Sequence, residues 1–505
     1  MTKATATMEH AAPGRIARPP VVVVVGHIDH GKTTLLDAIR GSKVAEKEAG
    51  GITQSIAAYQ IDERGKKITF IDTPGHESFS AMRARGAHVA DIAVLVVAAD
   101  EGPKPQTDEA IKIIRDCELP FVVALNKIDK PGADSNRVKQ QLAERAVLVE
   151  GYGGTVPVVE ISAKEKQGLN HLLETILLLA ELEELTSDPH AAGTGVVIES
   201  HLEPKRGAAA TLLIEDGAVN HGEFIAVGSQ VTPIRIFEDF RGETLERAEA
   251  GEPIRIVGFR AAPGLGERFQ TFKTKAEAET YAAGTEPKAK AAKSGTTSIS
   301  RTVVNIVIKA DTLGSKEALE GILAAIGTEA LGHKILKSEA GDVNESDVKL
   351  ALASKNTFIV GFRVKVPPAI RELADRHGIP IIASDVIYEL ADAIKAAMIA
   401  MAPSELHRID LGSATILALF KEERGKQIVG GKVAEGVIRV NTQFDIVRNQ
   451  RVVGKGKIIE IQSQRQKATE VAAGQEFGML ATADIFIAVG DTLSLFTEER
   501  VTPTL

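Results

Sequence analysis

Val21 to Val25 form an unbroken valine run that leads directly into Gly26-His27-Ile28-Asp29-His30-Gly31-Lys32-Thr33. Five β-branched residues without alternation read as a strand buried on both faces. Leu35-Leu36-Asp37-Ala38-Ile39 beyond them has helical spacing. That context, strand then glycine-bounded loop then helix, makes the G-x-x-x-x-G-K-[ST] match a P-loop rather than a tight turn after a buried strand. Backbone N–H groups of such a loop, with those of the helix N-terminus, point at phosphate oxygens. The loop thus predicts that Gly26, His27, Ile28, Asp29, His30, Gly31, Lys32, Thr33 and Thr34 bind a nucleotide triphosphate. Lys32 reaches the β- and γ-phosphates, and the Thr33 hydroxyl is a ligand for Mg²⁺.

A chain of 505 residues is too long for one core, and roughly three to five domains are expected. A net charge of −8 excludes indiscriminate coating of nucleic acid but not a local basic face. The single cysteine, Cys117, excludes an internal disulfide and suits a reducing compartment; its place between a helix-like run and a strand reads as a buried, inert thiol. The longest apolar run, Ile92 to Ala99, is far short of a membrane span. A cytoplasmic location is therefore expected, with no membrane partner and a monomeric state.

Three further loops follow predicted strands. Ile68 to Ile71 delivers Asp72-Thr73-Pro74-Gly75-His76. Asp72 is placed to hold Mg²⁺ through a water, Gly75 to offer an unobstructed N–H to the terminal phosphate, and His76 to orient an attacking water. Phe121 to Leu125 ends in Asn126-Lys127-Ile128-Asp129. A carboxylate at Asp129 accepts the N1–H and N2–H₂ donors of guanine, and an adenine there would leave it mispaired at a cost of several kcal/mol. Asn126 holds the loop and base, and the Lys127 stem covers one ring face. Ser162-Ala163-Lys164, after strand Val158 to Ile161, supplies a backbone N–H to the guanine carbonyl. In this order, each at a strand end, the loops imply a guanine nucleotide as substrate, with GTP and GDP as the bound forms and Mg²⁺ as the metal.

Organisation follows from changes of period. Residues 1–19 read as a disordered tail, and 20–189 as the P-loop α/β GTPase domain, closed by a helix from Gly168 to Leu185. Residues 190–282 read as a small β-barrel of short strands. A linker spans 283–300. Residues 301–402 alternate strand and helix four times, as a second α/β layer domain; Gly314-Ser315 at a helix start there reads first as a cap and second as an anion site. Residues 403–505 read as a second small barrel. Arg206-Gly207 and Asp216-Gly217 return as Arg424-Gly425 and Glu435-Gly436 between similar apolar alternations, so the two barrels are expected to share one topology. Between residues 421 and 467, eleven lysines and arginines face five carboxylates, either a phosphate-contacting ribbon or a solvated rim.

The P-loop and Asp72 to His76 resemble those of the translational GTPases. The runs Gly50-Gly51-Ile52-Thr53-Gln54, Pro74-Gly75-His76-Glu77-Ser78-Phe79-Ser80-Ala81-Met82-Arg83-Ala84-Arg85-Gly86-Ala87 and Pro103-Lys104-Pro105-Gln106-Thr107 resemble bacterial translation initiation factor 2 more closely than the elongation factors. The resemblance covers residues 20 to 505. It implies that the Thr53 hydroxyl joins Thr33 on Mg²⁺, in a loop released when the γ-phosphate is lost. It implies that Ile28 and Ile52 form an apolar gate restraining the catalytic His76 until the ribosome repositions it, and that Asp29 helps hold a monovalent cation. Arg83 and Arg85 are expected on a solvated or ribosome-facing helix rather than as arginine fingers. The last barrel is implied to hold the formylmethionyl end of initiator tRNA, with Gly431, Arg465, Glu476, Phe477 and Gly478 at the matching positions. Gly431 and Phe477 stand where the family has cysteines, and Gln462-Ser463 where it has a Lys-Arg pair, so recognition of the formyl group is the implied property most exposed to change. The family's long N-terminal extension has no counterpart before residue 20. The implied function is a GTPase that places initiator tRNA on the small ribosomal subunit and promotes subunit joining, with hydrolysis timing release. An elongation-type tRNA carrier and a non-catalytic GTP-binding regulator are the alternatives.

Overall fold

A computed structural model describes residues 14–41, 52–203, 205–284, 302–327, 331–401, 405–423, 426–464 and 466–501. The chain forms two compact units, residues 1–398 and 399–504.

The first unit opens with β1 (Ile16–Ala17) and β2 (Val21–Gly26), followed by α1 (Lys32–Arg40), β3 (Ala57–Glu63), β4 (Lys66–Asp72) and α2 (Ser80–His88). Then come β5 (Ile92–Ala98), α3 (Pro105–Asp116), β6 (Phe121–Asn126), α4 (Ser135–Glu144), β7 (Val158–Glu160), α5 (Leu169–Leu182) and β8 (Thr186–Ser187). One sheet has the order β3-β4-β2-β5-β6-β7, with β3 antiparallel at the edge and the rest parallel. Every residue of β2 and of β5 is buried, as two-sided cover by helices demands. The parallel arrangement brings the P-loop and the loops after β4, β6 and β7 to one edge, the usual ligand crevice of such sheets.

Residues 16–18, expected in a disordered tail, are held in place; residues 1–13 lie outside the described residues. Ile16 and Ala17 pair with Ser187 and Thr186, and Arg18 makes a two-pronged ion pair with Asp91 at 2.7 Å. A two-residue strand with a partner 171 positions away carries no periodicity to read.

The barrel comprises β9 (Thr194–Glu203), β10 (Gly207–Asp216), β11 (Ala218–Asn220), β12 (Phe224–Val227), β13 (Gln230–Pro233), β14 (Ile236–Asp239), β15 (Arg247–Glu249), β16 (Pro253–Phe259) and β17 (Arg268–Phe272). Its main sheet has the order β13-β12-β17-β9-β10-β16-β14. A helix, α6 (Lys275–Gly284), runs past the expected start of the linker and packs Ala278 and Ala282 on Ala226.

Four parallel units follow: β18 (Thr302–Ala310), α7 (Leu313–Ala325), β19 (Leu331–Ala340), α8 (Glu345–Leu352), β20 (Thr357–Phe362), α9 (Pro368–Arg376), β21 (Ile381–Ser384) and α10 (Ile387–Met401). Their sheet order is β19-β18-β20-β21. The Gly314 N–H, at the start of α7, faces Glu199 Oε1 of the barrel at 3.4 Å, and Thr312 caps the helix through Ser315 N. The cap reading of Gly314-Ser315 is thus the observed one, with a carboxylate from β9 added.

The second unit is all β: β22 (Glu405–Glu423), β23 (Lys426–Arg439), β24 (Gln443–Arg448), β25 (Arg451–Ser463), β26 (Gln466–Ala468), β27 (Glu470–Ala472), β28 (Glu476–Ala483) and β29 (Thr492–Val501). The order β22-β29-β24-β25-β28-β23 closes on itself through β22–β23. The first barrel follows the same order, with β12–β13 the counterpart of β24–β25 and the place of β25 divided between β13 and β14, the two ends of its sheet. Gly217 and Gly436 both have positive φ, 76° and 73°. A Cβ at either would strike a carbonyl oxygen of the preceding crossing segment, Ala192 at 2.3 Å or Leu411 at 2.0 Å. The repeated acidic-Gly pair therefore marks a shared turn that only glycine fits. Arg424-Gly425 lies outside the described residues.

Candidate nucleotide site

The P-loop leaves β2 at Gly26, whose φ of 145° and closeness to the Val96 carbonyl exclude a side chain. It enters α1 through Gly31 at φ 85°. Lys32 is 3% exposed and donates to the Gly26 and His27 carbonyls at 2.9 and 2.8 Å, bridging its own loop. Burial pulls its pKa down to about 8, against the opposing pull of Asp72. His30 is fully buried with Nδ1 3.3 Å from the Val96 carbonyl, and burial brings it to about 4, so it is neutral. Asp29 is exposed, and Thr34 points to solvent.

Asn126 ties three loops together. Its Nδ2 donates to the His30 carbonyl at 2.9 Å, while Oδ1 accepts from Lys127 N at 2.8 Å and Ala163 N at 3.0 Å. Asp129 is exposed and accepts from the Ser162 hydroxyl at 2.6 Å; that bond holds its carboxyl below the ordinary range. Ser162 Oγ accepts in turn from Glu165 N. An ionised carboxylate so oriented can take the paired donors of a guanine edge. Lys127, at φ 64°, lies 3.6 Å from Glu101, and Lys164 is exposed.

Thr33, Thr53 and Asp72 come from three separate segments and converge. The two hydroxyl oxygens are 2.7 Å apart, and Thr53 Oγ1 is 3.3 Å from Asp72 Oδ2. Neighbouring ligands of an octahedral Mg²⁺ lie about 2.9 Å apart, so this all-oxygen set fits that ion. Clusters of three or more His, Cys, Asp or Glu are absent among the described residues; the set here is two hydroxyls and one carboxylate.

The loop after β4 packs on the P-loop. A Cβ at Gly75 would lie 2.6 Å from Lys32 Nζ and 2.9 Å from Ile28 Cα, so only glycine permits the approach. The Thr73 hydroxyl is turned inward to the Val24 carbonyl at 2.9 Å, and Pro74 contributes a carbonyl to Arg83. His76 is half-buried; Nδ1 accepts from Ser78 N at 3.2 Å and burial lowers its pKa. Its ring is therefore neutral and engaged in capping its own turn. Ile28 lies against Gly75, and Ile52 is half-buried.

Several residues differ from their expected places. Arg83 is no solvated side chain: it is 1% exposed, donates to the Pro74 and His76 carbonyls, and grips Glu109 with two bonds of 2.6 and 2.7 Å. Arg85 is bound to Glu317 of α7 at 2.6 Å. Helix α2 lacks a clean apolar stripe, so its charges look solvated until the tertiary partners are seen. Cys117 is half-buried, 3.3 Å from His88 Nδ1, and burial raises its pKa. Gln106 accepts from Ile28 N at 3.1 Å, a role for the Pro103 to Thr107 run that spacing alone does not reveal.

In the second unit, Phe477 pairs with Gly431 and is 4% exposed. A Cβ at Gly431 would strike the Thr415 carbonyl oxygen at 2.4 Å and lie 2.9 Å from the Phe477 ring. Phe477 is thus core rather than surface, and with the Thr415 carbonyl it closes the space that a side chain at 431 would need. Glu476 is exposed, and Gly478, beside Gly430 and Gln462, has open space where a side chain would stand. Lys432, Arg451, Lys455 and Lys457 are exposed on the basic ribbon. Arg465 lies outside the described residues.

These features define a guanine-nucleotide P-loop protein with a Mg²⁺-suited oxygen cluster. Comparison with known proteins narrows that class. Residues 18–181 match the elongation factor Tu GTP binding domain, 192–272 match elongation factor G domain 2, and 279–395 match translation-initiation factor 2. Translation initiation factor IF-2 of a Roseiflexus species (strain RS-1) is 41% identical over 501 residues, 97% of this chain and 69% of that protein. The same factor of Brucella anthropi is 41% identical over 505 residues, which cover 97% of this chain and 52% of its own length. A crystal structure of GDP-bound aIF5B from Aeropyrum pernix is 28% identical over 95% of this chain and 92% of that one, with a TM-score of 0.47. The chain belongs to the translation initiation factor IF-2 family and spans between about half and two thirds of these relatives' length. No helix among the described residues is long and apolar enough to cross a membrane.

Proposed function

We propose that the chain is a ribosome-stimulated GTPase of translation initiation, hydrolysing GTP to GDP and phosphate with Mg²⁺ bound. The convergence of Thr33, Thr53 and Asp72 beside the P-loop carries this reading. Thr53 comes from a segment separate from the P-loop and from β4, so three stretches of chain supply oxygens to one point. Mg²⁺, when bound, screens the charge of the phosphate oxygens. Lys32 exchanges its two carbonyl partners for phosphate oxygens, and Asp129 reads the base. Gly75 brings its loop to the end of the phosphate chain, and His76 orients the attacking water once released from its turn. Positioning and charge supply most of such a rate acceleration, so hydrolysis in isolation is slow.

The partners follow from family membership and the second unit: both ribosomal subunits and initiator tRNA, the latter held by the last barrel. Glu476, Gly478 and the basic ribbon support that assignment; Phe477 acts from the core, beneath Gly431. The cytoplasm is the compartment, and Asp29 is the candidate ligand for a monovalent cation. Retention of formylated against unformylated initiator tRNA on filters, at two salt concentrations, tests the carrier role. Preference for the formylated form supports it, whereas equal retention favours an elongation-type carrier. Phosphate release with and without ribosomes tests catalysis, and no stimulation would leave only a GTP-binding regulator.

A further inference from the structure

Gln54 follows Thr53 directly, and its side chain reaches the start of α10. It is 2% exposed, donates through Nε2 to the Asp385 carbonyl at 2.8 Å, and accepts through Oε1 from Ile387 N at 3.0 Å. Ile387 is the first residue of α10. The opening N–H groups of a helix have no partner within the helix, so a side-chain acceptor there is worth a hydrogen bond that water cannot supply in a buried place. Ser384 occupies the neighbouring N–H, that of Val386, and also donates to Glu389. The Gln54 amide thus completes the cap of a fifteen-residue helix whose sequence lies 333 positions away. Helix α10 also carries the chain from residue 398 of the first unit into residue 399 of the second.

One residue upstream, the Thr53 hydroxyl stands 2.7 Å from Thr33 and 3.3 Å from Asp72. The two neighbours face different partners: Thr53 turns to the metal-suited cluster while Gln54 turns to the helix start. We propose that Gln54 is a positioning residue for hydrolysis: its clasp on the α10 N-terminus sets Thr53 at the metal cluster, and occupation of that cluster in turn fixes the helix start. The coupling is reciprocal, as any binding linkage must be. Whatever strains the beginning of α10 loosens Thr53. This rests on the nucleotide reading above, and the test separates the two.

Full-length wild type and the variants Gln54→Met and Gln54→Ala are titrated, in Mg²⁺, with fluorescent GDP and a fluorescent non-hydrolysable GTP analogue. Met keeps stem and volume while removing both bonds, so a folding defect in the Ala variant does not decide the outcome. The expected result is GDP affinity within about twofold of wild type and analogue affinity lower by about tenfold, the usual scale of site-to-site coupling. Hydrogen exchange supplies the second readout. In wild type the Ile387 amide is slower with the analogue than with GDP, and Gln54→Met abolishes that difference. A purely structural clasp would move both affinities together and slow or speed Ile387 alike with either nucleotide; that result overturns the proposal. So does an unchanged analogue affinity in Gln54→Met. Wild type that binds neither nucleotide overturns the nucleotide reading and this inference with it.

Discussion

Asn126→Asp changes one atom and leaves the shape of the site intact, which makes it the sharpest probe of how the nucleotide loops are held. In wild type, Oδ1 accepts from Lys127 N and Ala163 N, and Nδ2 donates to the His30 carbonyl. The aspartate keeps both acceptor bonds but sets a carboxylate oxygen 2.9 Å from a carbonyl, at a residue 2% exposed. One buried bond is lost, and a charge faces an oxygen; together these cost about 3 kcal/mol. The penalty falls on the ionised form, so the folded pKa of residue 126 rises above the unfolded value near 3.9. About 3 kcal/mol corresponds to a rise of about two units. The sign follows: the variant is most destabilised above pH 6, and its deficit shrinks as pH falls through 6 toward 4, where the neutral acid donates to the His30 carbonyl. Chains of several domains do not unfold in one step, so native-state hydrogen exchange at the Val21–Gly26 amides is the suitable assay. A deficit below about 0.5 kcal/mol at pH 7.5, or one independent of pH, would refute the claim that Asn126 ties the loops through His30.

His76→Ala should leave GTP affinity within about twofold while abolishing ribosome-stimulated phosphate release, since the ring bonds only its own turn; normal release removes His76 from catalysis. Asp129→Asn should exchange guanine for xanthine preference by turning an acceptor into a donor, and unchanged GTP affinity in a competition assay counts against the base reading. Glu199, whose carboxyl burial raises to about 7, binds a proton more readily folded than unfolded. Stability of the first unit should therefore fall by about 2 to 3 kcal/mol as pH rises from 4.5 to 7, a slope that Glu199→Gln flattens in exchange measurements. Phe477→Cys and Gly431→Cys should each destabilise the second unit, by about 3 and about 2 kcal/mol, through a cavity and a clash. The Thr415 carbonyl, 2.4 Å from a Cβ at 431, stays in place whatever stands at 477, so the double variant should recover only the ring's share of the clash, about 1 kcal/mol of their sum, and strict additivity would refute the contact of ring and glycine.

The nucleotide loops were legible because each is a short motif at the end of a strongly apolar strand, and strand context turns weak motifs into strong ones. The four β-α units of 302–401 were equally plain from period. What stayed hidden depends on partners distant in sequence. Gln54 looks like a polar switch residue until α10 arrives, and Arg83 looks solvated until Glu109 and two carbonyls enclose it. The strap at Ile16-Ala17 is too short to carry a period. Phe477 is the instructive case: Phe477, Met479 and Ala481 alternate inward along β28, so the alternation already placed the ring in the core, while resemblance drew attention to it as a contact.

Calorimetric titration of the full chain with GTP, GDP and ATP in Mg²⁺ tests the central claim most directly. Saturable heat is expected for both guanine nucleotides, none for ATP at the same concentrations, and weaker GTP binding in Thr33→Ala. Equal heat for ATP, or no heat with GTP, would contradict it.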